Sequence, residues 1–121
     1  MNKMDLLKKK IEDFYYWDSN IIHLSCRYFG DEVIMVYEED DEFNIQYTFY
    51  GCYRCTINHD LEYKKDKRIK DCIKQQISYY LQDISVEEKD KKLLFKINAY
   101  PLDITILCEK VDIKRILKIK K

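Results

Sequence analysis

Cys52 and Cys55 stand in C-x-x-C spacing within the stretch GCYRCTINHD, and His59 follows four residues after the second cysteine. Three chemistries fit those residue types: half of a zinc site, a redox dithiol, or two small apolar side chains in a strand. Zinc needs thiolates converging tetrahedrally, which C-x-x-C supplies on a tight turn. A redox C-x-x-C opens a helix, whose N-terminus lowers the thiol pKa. Here Thr56 and Ile57 continue an alternating pattern instead. Along a strand, residues three apart point to opposite faces, so Cys55 is expected toward the core and Cys52 away from it. A second C-x-x-C, which would complete a zinc set, is absent. A metal-binding or thiol-dependent domain using Cys52, Cys55 and His59 is one alternative reading, and a generic interaction module is another.

The other reactive side chains give less. His23 and Cys26 fall on opposite faces of one strand, which is awkward for a dyad. Cys72 lies on an apolar helical stripe and reads as a small hydrophobe. G-x-S-x-G, Walker, H-E-x-x-H and G-x-G-x-x-G patterns are missing. No catalytic residue and no cofactor are therefore assigned, and the expectation is a binding protein rather than an enzyme. The best surface feature is the run Glu38, Glu39, Asp40, Asp41 and Glu42. Five adjacent carboxylates repel one another and belong in solvent at a hairpin tip. The same charge could meet a basic partner, with Tyr37, Phe43 and Tyr50 as aromatic anchors.

These residues must be held by a chain of 121 residues, which is read as a single domain spanning 1–121. Its 22 basic and 22 acidic residues cancel, which argues against a nucleic-acid partner. The opening MNKMDLLKKKIEDFYY lacks an apolar run of signal-peptide length, and no stretch reaches the length of a membrane span. Five cysteines without an export signal suggest reduced thiols, so the expected location is cytoplasmic, away from membranes.

Periodicity predicts a short amphipathic helix over 3–15, with Met4, Leu7, Ile11 and Phe14 on one side. From Asn20 the period becomes two: Ile22, Leu24, Cys26 and Tyr28 share a face, with His23, Ser25 and Arg27 opposite. Gly30-Asp31 then turns the chain into a second strand over 32–38. Beyond the acidic tip, residues 43–57 alternate as one long strand that Gly51 bends. Ile69, Cys72, Ile73, Gln76, Ile77, Tyr80, Leu81 and Ile84 trace a stripe that predicts a long helix over 66–84, and the polar stretch 85–92 reads as a loop. Strands follow over about 93–100 and 102–109, while 110–121 fits either a strand or a helix. The expected fold is α+β: a curved antiparallel sheet of about five strands packed against one long amphipathic helix, with a short N-terminal helix.

The segment Tyr16-Trp17-Asp18-Ser19-Asn20-Ile21-Ile22 resembles the opening of a group of small bacterial proteins in which an aromatic or His residue precedes Asp-Ser-x-Ile. Phe49-Tyr50-Gly51-Cys52-Tyr53 is similar to the third strand of the same group. The resemblance spans roughly residues 14–57, and the usual Trp-His-Asp-Ser reads here as Tyr-Trp-Asp-Ser. Such families are similar to immunity proteins of bacterial polymorphic toxin systems. The resemblance implies a non-catalytic protein whose partner is one cognate toxin. On this reading the acidic tip covers a basic active-site surface. The residues themselves give Asp18 and Ser19 a structural role at the helix–strand joint, with Trp17 as its plug.

Overall fold

In the computed structural model, which describes residues 2–59 and 79–118, regular structure begins with a helix, α1 (Lys3–Asp13). Asn2 caps it, its side-chain oxygen accepting the Asp5 N–H at 2.9 Å. Ile11 is buried, with Met4, Leu7 and Phe14 half-buried beside it, and this stripe packs against β5 (Asp83–Lys89). Among the described residues no helix is long and apolar enough to cross a membrane.

The remaining strands are β1 (Ile21–Arg27), β2 (Glu32–Glu38), β3 (Phe43–Tyr50), β4 (Arg54–His59), β6 (Lys92–Ala99), β7 (Leu102–Cys108) and β8 (Lys110–Leu117). They form two antiparallel sheets, one in the order β1-β2-β3-β8 and one in the order β4-β7-β6-β5. Val33, Met35, Tyr37, Ile45, Tyr47 and Phe49 of the first sheet share one core with Ile84, Val86, Phe95, Ile97, Ile104 and Ile106 of the second. Phe49 meets Phe95 edge to face across the sheets, with ring centroids 5.0 Å apart. Strict alternation in β3 places Ile45, Tyr47 and Phe49 inside with no exposed surface.

The sheets are joined at a corner. The long strand expected over 43–57 breaks at Gly51, whose φ of 62° is left-handed, and continues as β4 in the other sheet. Its neighbour does the same at Glu109, between β7 and β8. Two paired strands thus bend together: Tyr50 opposes Lys110 on one side of the corner and Arg54 opposes Leu107 on the other. The Glu109 N–H donates to the Tyr50 carbonyl at 3.0 Å and to the Gly51 carbonyl at 3.2 Å, keeping the ladder satisfied through the bend.

This architecture overturns the expected five-stranded α+β fold. The described residues contain eight strands in two sheets and one helix, so the protein is mostly β. The end of the expected long helix is extended: Tyr80 bridges Asn20, Leu81 donates to the Ser19 carbonyl at 2.8 Å, and Ile84 is a buried position of β5. The rest of that helix, 66–78, lies outside the described residues. The expected polar loop 85–92 is the rest of β5, a turn with Asp90 and Lys91 both at positive φ, and the first residue of β6. An edge strand carries charge on its outward positions, so Glu87, Glu88 and Lys89 look like a loop by composition. Residues 110–117 form β8, paired with β3 along its whole length.

Candidate functional site

Antiparallel pairing puts the start of β1, the end of β2, the start of β3 and the end of β8 at one end of the first sheet. The Glu38 N–H donates to the Asn20 carbonyl at 3.1 Å, tying the Asp18-Ser19-Asn20 segment to the acidic run. Asp18, Glu38, Glu39, Asp40 and Asp41 line an open depression of about 360 Å³, together with Ser19, Asn20, Tyr80 and Lys118. Two sequence features twenty residues apart therefore share one surface.

Each carboxylate has its own circumstances. Arg115 makes a two-pronged ion pair with Glu39, its Nη2 2.8 Å from Oε2, and Lys118 Nζ lies 3.0 Å from Glu38 Oε2. The Arg115 guanidinium also stands over the rings of Phe14 and Phe43. Asp40 Oδ1 accepts the N–H groups of Glu42 and Phe43, both at 2.8 Å, which hold its carboxyl below the usual range. Asp40 is thus the turn-former of the β2–β3 hairpin. Asp41 and Glu42 are exposed. The β3–β8 register that brings Arg115 and Lys118 to the acidic run is a long-range pairing, which local sequence pattern does not encode.

The aromatic anchors separate. Phe43 is half-buried beside the acids. Tyr37 has no exposed surface, and its hydroxyl donates to the Phe14 carbonyl at 2.9 Å, so it presents nothing to a partner. Tyr50 is half-buried at the opposite end of β3, roughly 23 Å along the strand, beneath Lys110. At the helix–strand joint the plug is Tyr16, which is buried, while Trp17 stacks outside it at a centroid distance of 4.1 Å and is 38% exposed. Asp18 adopts a φ of 62° and donates its N–H to the Leu81 carbonyl at 2.8 Å. What this segment contributes structurally is thus backbone geometry.

Cys52, Cys55 and His59 do not converge. Cys52 sits in the bend rather than on a strand and packs against the core with Cys55, so the expectation that it faces away is corrected. Its Sγ donates to the Phe49 carbonyl at 3.4 Å, and the His59 ring bonds the Tyr79 hydroxyl at 3.2 Å. Burial pushes the Cys52 thiol up to about 11, and burial with the Cys26 thiol beside it pushes Cys55 up to about 12. A metal ligand or catalytic nucleophile acts as the thiolate, which the opposite shift would favour. Among the described residues no three His, Cys, Asp or Glu side chains gather to hold a metal ion.

No curated protein matches the chain. The family model described as immunity protein PIM7 matches residues 3–115, taking in α1, all of β1 to β7 and most of β8. A match over nearly the whole chain shows that it belongs to the immunity protein PIM7 family.

Proposed function

We propose that this chain binds one cognate bacterial toxin and blocks it by occlusion, with the acidic end of the first sheet as the contact surface. Membership of an immunity family supports the inhibitory role, and occlusion asks for no reaction chemistry from the inhibitor itself. The observation that carries the surface assignment is the convergence of Asp18-Ser19-Asn20 with Glu38–Asp41 around one depression. A concave surface rich in carboxylates complements a basic active-site cleft and raises the encounter rate with it. Phe43 supplies apolar contact at its rim.

The ion pairs decide which charges a partner meets. Glu38 and Glu39 are already balanced by Lys118 and Arg115, and Asp40 is committed to its turn. Asp41 and Glu42 are the charges best placed to steer a basic toxin. The test uses the toxin encoded beside this chain's gene and the double variant Asp41→Asn/Glu42→Gln, which leaves the hairpin intact. Stopped-flow association should slow several-fold at low salt and lose part of its salt dependence, with dissociation little changed. Identical association rates at every salt concentration would remove this surface from the proposal.

A further inference from the structure

We infer that Cys26 and Cys55 are a reversible disulfide site that staples an edge strand of one sheet to an edge strand of the other. Their sulfurs lie 3.8 Å apart, although the residues are 29 apart in sequence. Cys26 is on β1, an edge of the first sheet, and Cys55 is on β4, an edge of the second. No ladder joins those two strands. Between them lies an apolar cleft of about 220 Å³, lined in part by Leu24 and Ile57. Each of these is two residues from a cysteine on the same strand, and so on the same face. The thiol pair therefore stands at one end of the cleft, where a covalent link would hold β1 and β4 together.

Accessibility sorts the cysteines by role. Cys26 is exposed, Cys55 is half-buried behind it, and Cys108 is fully buried. Cys26 is thus the sulfur that meets an oxidant first. Its thiolate attacks a low-molecular-weight disulfide, such as glutathione disulfide, forming a mixed disulfide and expelling one thiolate, which takes a proton from water. Cys55 then gives its proton to solvent, and its sulfur attacks the Cys26 sulfur and expels the second small thiol. Two protein thiols lose two electrons and two protons, and the small disulfide becomes two thiols. Burial pushes the Cys55 thiol up to about 12 and slows its attack, and the 3.8 Å approach of the two sulfurs offsets this by making the step intramolecular. The rotation needed to close the remaining gap is available to Cys26 because its side chain faces solvent.

The inference does not depend on the toxin and is tested on the chain alone. Wild type and a Cys72→Ser variant are equilibrated in glutathione redox buffers, alkylated and mapped by peptide mass spectrometry. The expected product is a single intramolecular bridge between residues 26 and 55. Its formation should raise the thermal midpoint by roughly 10 °C over the reduced chain. Cys26→Ser and Cys55→Ser should each remove the bridge and the shift, and Cys52→Ser should keep both. If Cys55→Ser fails to fold, the exposed Cys26→Ser carries the same reading. A bridge between other cysteines, or oxidation that stops at a glutathione adduct on Cys26, overturns the assignment.

Discussion

Replacing Gly51 with alanine isolates what the corner between the sheets requires. Gly51 has a φ of 62°, where an L residue with a Cβ is strained by about 1–2 kcal/mol. The added Cβ would also lie 3.1 Å from Cγ and Oε2 of Glu109 and 3.2 Å from its Cβ. Those atoms belong to a side chain that can give way, though Glu109 Oε1 accepts the Tyr53 hydroxyl at 2.6 Å and must move with it. That hydrogen bond is in solvent, so strain and crowding dominate the cost. Alanine returns about 0.4–1 kcal/mol by restricting the unfolded chain. The net expectation is a loss of about 1 kcal/mol, or about 4 °C in thermal midpoint for a domain of this size.

Urea unfolding followed by far-ultraviolet circular dichroism measures this directly, with the slope against denaturant unchanged because the exposed surface is the same. Gly51→Asn separates the two contributions. Asparagine tolerates the left-handed region but carries the same Cβ, so it should recover part of the loss. The predicted order of stability is wild type, then Gly51→Asn, then Gly51→Ala. Wild-type stability in Gly51→Ala would refute the strain argument. An asparagine variant as unstable as the alanine one would show that crowding alone is responsible.

Phe29 occupies the β1–β2 turn at φ 57° with its ring fully exposed, so Phe29→Asn should raise stability by about 1 kcal/mol in the same urea assay. Tyr37→Phe removes the hydroxyl that reaches the Phe14 carbonyl and should cost about 1 kcal/mol, with faster amide exchange in α1. Burial moves the Cys108 thiol from an ordinary 9.0 up to about 12. The unfolded chain therefore releases this proton first as pH rises, and its contribution to stability, complete below about pH 9, is lost by about pH 12. A Cys108→Ala variant should show a shallower alkaline decline in unfolding free energy over that window.

The β-strands that alternate cleanly were legible because burial on one face writes itself into sequence with period two. Ile45, Tyr47 and Phe49 follow that pattern, and Gly51 marks where it breaks. The second sheet is legible in part, since the sequence pattern points to β6 and β7 but not to β5. Tyr80, Leu81 and Ile84 sit at spacings that suit a helical stripe, yet the last two are also inward positions of an extended segment. Pattern alone does not separate those cases over so few residues. Missing β5 turned a two-sheet sandwich into one sheet with a helix on it. The proximity of Cys26 and Cys55 is invisible in the sequence for a related reason: it depends on how two edge strands of different sheets face each other, which local pattern does not encode.

The acidic run was legible as charge but not as structure, and the difference bears on how it could bind. An isolated run of five carboxylates on a hairpin tip would be a floppy, self-repelling loop, costly to order against a partner. Here each end of the run is fastened. The Glu39 and Asp40 N–H groups both donate to the Phe43 carbonyl, Asp40 closes the turn, and the Lys118 N–H donates to the Glu42 carbonyl at 2.9 Å. The Arg115 and Lys118 side chains offset the charges of Glu39 and Glu38 on the sheet side, while Asp41 and Glu42 stay exposed. The remaining carboxylates are therefore presented on a backbone already in place, and less ordering entropy opposes binding. The same anchoring implies a division of labour. Removing Arg115 should loosen the hairpin and weaken binding by raising the cost of ordering it, even though that change makes the surface more acidic. A simple charge-matching account predicts tighter binding of Arg115→Ala to a basic toxin. The direction of that one affinity change therefore distinguishes preorganisation from net charge as the basis of recognition.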